Sequence, residues 1–132
     1  PVIANGDIKN SKDALNCLKK TNSDGLMIGR GILGSPWKLG EIDNALKEFN
    51  DFKEPNIEEK LLLLIEHLEA LIQEKGNHGL LLARKHISWT CINIPGATNL
   101  RNKLLRAKDT NEVKELINKT IGTINTEQKN KI

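Results

Sequence analysis

The hydrophobic rhythm of this chain changes near Asp51-Phe52-Lys53-Glu54-Pro55. Before that point short apolar runs alternate with helical segments; after it, every periodic segment is helical. Val2-Ile3-Ala4 has no polar alternation, which predicts a strand buried on both faces. Asn10 or Ser11 can cap a helix whose apolar stripe is Ala14, Leu15 and Leu18. Gly25-Leu26-Met27-Ile28 predicts a second strand, ending in Gly29-Arg30-Gly31. Strand, helix, strand, helix demands parallel pairing through a right-handed crossover. Ser35-Pro36-Trp37 predicts the next helix start, with Ser35 as N-cap and Pro36 in the first helical position.

The second half carries clearer signals. Asn56 with Glu59 three residues on is a capping-box pattern. Ile57, Leu61, Leu64, Ile65, Leu68, Leu71 and Ile72 then recur at helical spacing, and Gly76 stops the run. A helix over about Leu80 to Cys91 is ended by Pro95-Gly96. Another carries Leu100 and Leu104. A last one, capped by Asp109 with Glu112 at the third position, buries Val113, Leu116 and Ile117, leaving Asn125 to Lys131 as a fraying polar tail.

Composition narrows the class without naming a function. With 132 residues, 38% hydrophobic and 28% charged, the chain suits one soluble globular domain. The longest apolar run, Leu61 to Ile65, is far short of the ~20 residues a membrane helix needs, and nothing after Pro1 reads as a signal peptide. Cys17 and Cys91 are too few for a disulfide framework and lack metal-ligand spacing, which points to a reducing, cytoplasmic setting. The net charge of +3 is unevenly spread. Arg84 to Arg106 holds Arg84, Lys85, Arg101, Lys103 and Arg106 and no acidic residue. Such a block is either a solvated helical face or a footprint for phosphate backbones.

The candidate chemistry lies where the strands end. Asn5-Gly6-Asp7 and Gly29-Arg30-Gly31 both follow strands, and in α/β folds those ends face the site. Glycine lets backbone N–H groups approach an anion, and a helix starting after Gly31 would add its dipole. Together the turns predict a phosphate cradle; singly, each is also an ordinary tight turn. Two parallel strands cannot cover their own faces and edges. That shortage, with no methionine ahead of Pro1, predicts a fragment whose bare strand edges promote self-association.

"PVIANGDI", "DGLMIGRGILGSPW", "ARKHISW" and "IPGATNLR", in this order, resemble the C-terminal part of bacterial tRNA-dihydrouridine synthases, nearest the B-type. The likeness runs from Pro1 to about Leu116. It implies an α/β chain: the last two β/α units of a TIM (β/α)8 barrel over 1–53, then a small all-α helical bundle domain over 54–124 and a polar tail over 125–132. The family is a flavin enzyme whose tRNA lies in a positively charged cleft between barrel and helical domain. By resemblance Asn5, Gly6, Asp7, Gly29 and Arg30 bind the FMN phosphate, and Arg84, Lys85, His86 and Arg101 face tRNA. The implied reaction reduces uridine to 5,6-dihydrouridine, with NADPH as reductant and a proton-donor cysteine upstream of this chain. Neither Cys17 nor Cys91 stands in that motif, so no residue here is catalytic and the fragment alone is expected to be inactive. Thr90 departs from the family's usual aromatic after Ser-Trp. Trp89 is a helix-packing anchor or a base-stacking platform. Two other readings compete: an FMN-dependent barrel oxidoreductase acting on a small molecule, which has no need of the basic helical half, and a stand-alone helical RNA-binding module.

Overall fold

The computed structural model describes residues 1–49 and 51–130 and divides the chain into two compact units, Pro1–Glu54 and Pro55–Ile132. In the first unit β1 (Ile3–Asn5) pairs in parallel with β2 (Gly25–Met27), Ile3 opposite Gly25 and Asn5 opposite Met27. Parallel neighbours need a crossover, and α1 (Ser11–Thr21) supplies it. Asn10 caps α1, its side-chain oxygen accepting the Asp13 N–H at 2.9 Å. Asn22 ends it in the left-handed conformation at φ 51°. After a single 3-10 turn at Arg30–Ile32 comes α2 (Lys38–Leu46). Ile8, Ala14 and Ile42 form the small core, with Cys17, Leu26, Ile28 and Leu46 packed on it.

Three expectations for this unit change. The first strand is not buried: Val2 is 66% and Ile3 55% exposed. Among the described residues the sheet has two strands, and no further strand packs beside these side chains. Leu15 turns outward, and Ala14 with Cys17 makes the inward face of α1. Ser35 is not the N-cap of α2. Its N–H donates to the Ile32 carbonyl at 2.9 Å and its own carbonyl accepts from Lys38, so Ser35-Pro36-Trp37 is a turn ahead of the helix.

The second unit is four helices around one core: α3 (Ile57–Lys75), α4 (His78–Ile92), α5 (Thr98–Arg106) and α6 (Thr110–Lys129). Helix α3 packs on α4 and α6, and α5 packs on α4 and α6. Leu61, Leu68, Ile87, Leu104, Val113 and Ile117 are its largest fully buried side chains. The capping box forms as the sequence predicts: Asn56 accepts the Glu59 N–H at 2.9 Å and the Glu59 carboxylate accepts the Asn56 N–H at 2.7 Å. Asp109 caps α6 in a related way: its side chain accepts the Glu112 N–H at 2.9 Å, while the Glu112 carboxylate accepts the N–H of Lys108, one residue earlier, at 2.8 Å.

Helix α6 continues to Lys129, through residues expected to form the polar tail. Its apolar stripe is the reason, since Ile121 is buried and Ile124 packs on the same core. Gly122 lies inside this helix, and a methyl group there meets nothing within 4 Å. Gly122→Ala is therefore expected to stabilise the unit by about 0.5–1 kcal/mol, through backbone entropy alone. Urea unfolding measures it, and a variant of lower stability would refute the expectation. Among the described residues no helix is long and apolar enough to cross a membrane.

Candidate functional site

The two turns that follow the strands do meet. Asn5, Gly6 and Asp7 from the first and Gly29, Arg30 and Gly31 from the second line one cleft of about 610 Å³, joined by Ile8, Lys9, Met27 and Lys38. Parallel pairing puts both strand ends on the same side, which is why turns far apart in sequence converge. Gly31 sets how closely they approach. A Cβ there would lie 1.9 Å from the Ile8 carbonyl oxygen and 3.2 Å from the Lys9 Cα.

Two features suit an anion. Among the described residues the backbone N–H groups of Gly6, Asp7, Gly29, Arg30 and Gly31 have no protein acceptor. Around Gly6 (φ 130°) and Gly29 the space a Cβ would fill is open. Unpaired amides beside open space are what a phosphate oxygen needs. Arg30 reaches across to Asp7, Nη2 to Oδ1 at 3.7 Å, with both side chains almost fully exposed. That pair contributes little to stability.

The expected helix dipole is absent at this position. The 3-10 turn after Gly29 is too short to build one, so the backbone contribution here is from individual N–H groups. Lys9 and Lys38 are cleft residues that the sequence reading missed. Each follows a turn by a few positions, and two more cations near glycine turns were the available signal.

The basic residues of the second unit are split by the helix that carries them. Arg84, Lys85 and His86 lie on α4 and Arg101 on α5. The Arg101 Nε–H donates to the Ser88 hydroxyl at 2.8 Å, one turn along from Arg84, so the two arginines share the α4–α5 edge. Arg84 is half-buried, and its Nε has no acceptor among the described residues. Lys85 points to solvent. His86, about 200° around the helix from Ser88, faces α3 instead. Its ring centroid lies 4.3 Å from that of His67 and 5.2 Å from that of Trp89, both edge-on. Trp89 is thus a packing partner of His86.

Desolvation lowers the His86 pKa below its ordinary value of 6.5, and the neighbouring His67 lowers it further. The unfolded chain therefore takes up a proton that the folded unit resists, and stability falls as the pH drops below that ordinary value. His86→Phe should flatten the fall between pH 7 and pH 5 in urea titrations of the second unit. An unchanged pH profile in that variant would remove His86 as its source. Burial pushes the Cys91 thiol up to about 11 against the opposing pull of Arg101, so it is held as an unreactive thiol. Among the described residues no group of three or more His, Cys, Asp or Glu side chains is placed to hold a metal ion.

A parallel strand–helix–strand unit with an amide-lined cleft at its strand ends, followed by an all-helical unit, defines the class as an α/β chain with a helical second unit. The family model described as "Dihydrouridine synthase (Dus)" matches residues 1–126, and the chain belongs to that family. It is 44% identical over 123 residues to a "Probable tRNA-dihydrouridine synthase 1" of Synechocystis sp., covering 93% of this chain and 35% of the relative. It is 40% identical over 116 residues to a "Probable tRNA-dihydrouridine synthase" of Rickettsia bellii, covering 83% and 36% respectively. With "tRNA-dihydrouridine synthase B" of Pseudomonas putida it shares 38% identity over 111 residues, covering 83% and 33%. The chain thus spans about a third of the length of these relatives.

Proposed function

We propose that this chain is the C-terminal portion of a flavin-dependent enzyme that reduces uridine to 5,6-dihydrouridine in tRNA. In this reading the first unit is the last two β/α units of a TIM barrel and the second is a helical tRNA-binding domain. The single observation that carries it is the closure of Asn5-Gly6-Asp7 onto Gly29-Arg30-Gly31 around one cleft. The residues present fit the phosphate end of FMN. Asn5, Gly6, Asp7, Gly29 and Arg30 would hold it, through unpaired N–H groups and one guanidinium. Bound flavin supplies hydride-transfer chemistry, with NADPH as the reductant.

The residues of this chain bind and position; none donates the proton. Arg84, Lys85, His86 and Arg101 are proposed to meet tRNA, supported by the acid-free stretch in which they lie. The arginines on the α4–α5 edge suit phosphate contacts best, and such contacts weaken steeply with salt. The exposed Val2, Ile3 and Met27 fit a sheet that other strands would extend, and in the isolated chain they favour self-association. Deleting the gene and mapping dihydrouridine along each tRNA by mass spectrometry tests the function. Loss at one position is expected, and an unchanged map overturns the proposal.

A further inference from the structure

Three cations and one carboxylate line the cleft of the first unit: Lys9, Arg30 and Lys38 against Asp7, a net of +2. Arg30 is engaged with Asp7. Lys38 is different. It opens α2 on the cleft wall and is half-buried, and among the described residues no carboxylate lies within ion-pair distance of its ammonium. An ammonium with no carboxylate partner on a cleft wall is free to pair with an anion placed beside it. The same cleft presents the unpaired N–H groups of Gly6, Asp7, Gly29, Arg30 and Gly31.

Charge then separates two kinds of phosphate. A monoester carries about −1.5 to −2 at neutral pH, whereas a diester carries a single charge, and a net of +2 complements the first. We infer that Lys38 is a further phosphate-binding residue, and that with it the cleft selects a terminal phosphomonoester over a phosphodiester. The inference rests on reading this cleft as the phosphate site of FMN and adds to it a residue and a selection. The selection has a use. A protein that handles tRNA meets phosphodiesters in great excess, and a cleft tuned to dianions keeps them out of its cofactor site.

Amide NMR of the 132-residue chain tests this, with Gly6, Gly29 and Gly31 as reporters. Methyl phosphate and dimethyl phosphate are the two probes. The parent chain is expected to prefer methyl phosphate by about tenfold or more. Lys38→Met should weaken methyl phosphate by about tenfold while changing dimethyl phosphate by less than about threefold. Lys38→Arg should restore the preference, and Lys20→Met, on the far end of α1, should match the parent. The amide spectrum of each variant also reports that it is folded.

Three results would overturn the inference. If Lys38→Met binds both esters as the parent does, Lys38 has no role, and the phosphate reading of the cleft stands without it. Equal weakening of both esters would remove the selection. If neither ester moves any of the three glycine amides in the parent, the phosphate reading itself fails, and this inference with it.

Discussion

Gly31→Ala is expected to lower phosphate affinity of the first unit by about 10²-fold. The added methyl carbon would sit 1.9 Å from the Ile8 carbonyl oxygen and 3.0 Å from its carbon, both backbone atoms that cannot rotate away. Carbon–oxygen contacts turn repulsive well before they shorten to roughly 3 Å, so the turns must part by about 1 Å. Displacements of that size cost about two orders of magnitude where donors must converge on one group. The N–H groups of Gly6 and Asp7 belong to one turn and those of Gly29 and Arg30 to the other, so separation splits the donor set. Titration with inorganic phosphate, followed by amide NMR, measures the loss. Parent-like affinity in the alanine variant would show that the donors do not depend on this approach.

The second large effect is expected from Gly79→Ala, in the second unit. Gly79 is buried in the first turn of α4, where a Cβ would meet the Leu71 carbonyl oxygen at 2.5 Å and the Ile72 Cα at 2.9 Å. Here the backbone of α3 comes against the backbone of α4, and there is no side chain to move. Forcing a methyl group into so tight a contact costs about 3 kcal/mol. For a unit of this size that lowers Tm by roughly 10–20 °C. Calorimetry measures it. Gly122→Ala is the control, because the same change in open space should raise Tm instead. A Gly79→Ala variant melting with the parent would mean that the α3–α4 turn yields without cost.

The local elements were legible wherever a cap and a periodic stripe agreed. Asn56 with Glu59 and Asp109 with Glu112 mark helix starts that the structure reproduces, because each signal is complete within four residues. The pairing of the strands also followed from their order, since strand–helix–strand allows a parallel pair. Burial did not follow. Val2 and Ile3 read as interior residues, yet burial depends on neighbours that these residues do not specify. Ser35-Pro36 had the composition of a helix start but forms a turn, because the Ser35 and Pro36 carbonyls accept from Lys38 and Leu39, three residues on, and the four-residue pattern begins only at Trp37. Helix α6 runs on to Lys129 past Ile121 and Ile124, which pack on the core just before the polar residues begin.

The candidate site divides along the same line. Asn5, Gly6, Asp7, Gly29 and Arg30 stood out because glycine beside a strand end is a local pattern with a known geometric use. Lys9 and Lys38 did not, because a lysine becomes a cleft residue only by what folds opposite it. In the basic stretch, Arg84, Lys85 and His86 are adjacent in sequence, and adjacency on a helix scatters side chains. Helical rotation turns His86 toward His67 and leaves Arg84 with Ser88 and Arg101 on another edge.

By itself, then, the sequence determined the helices, their caps, the parallel order of the strands and the family motifs, since each depends on interactions a few residues apart. The tertiary structure alone decided which glycines are closely packed, which cations share a cleft and which apolar residues meet water. Those are contacts between segments distant in the chain, and no local propensity carries them.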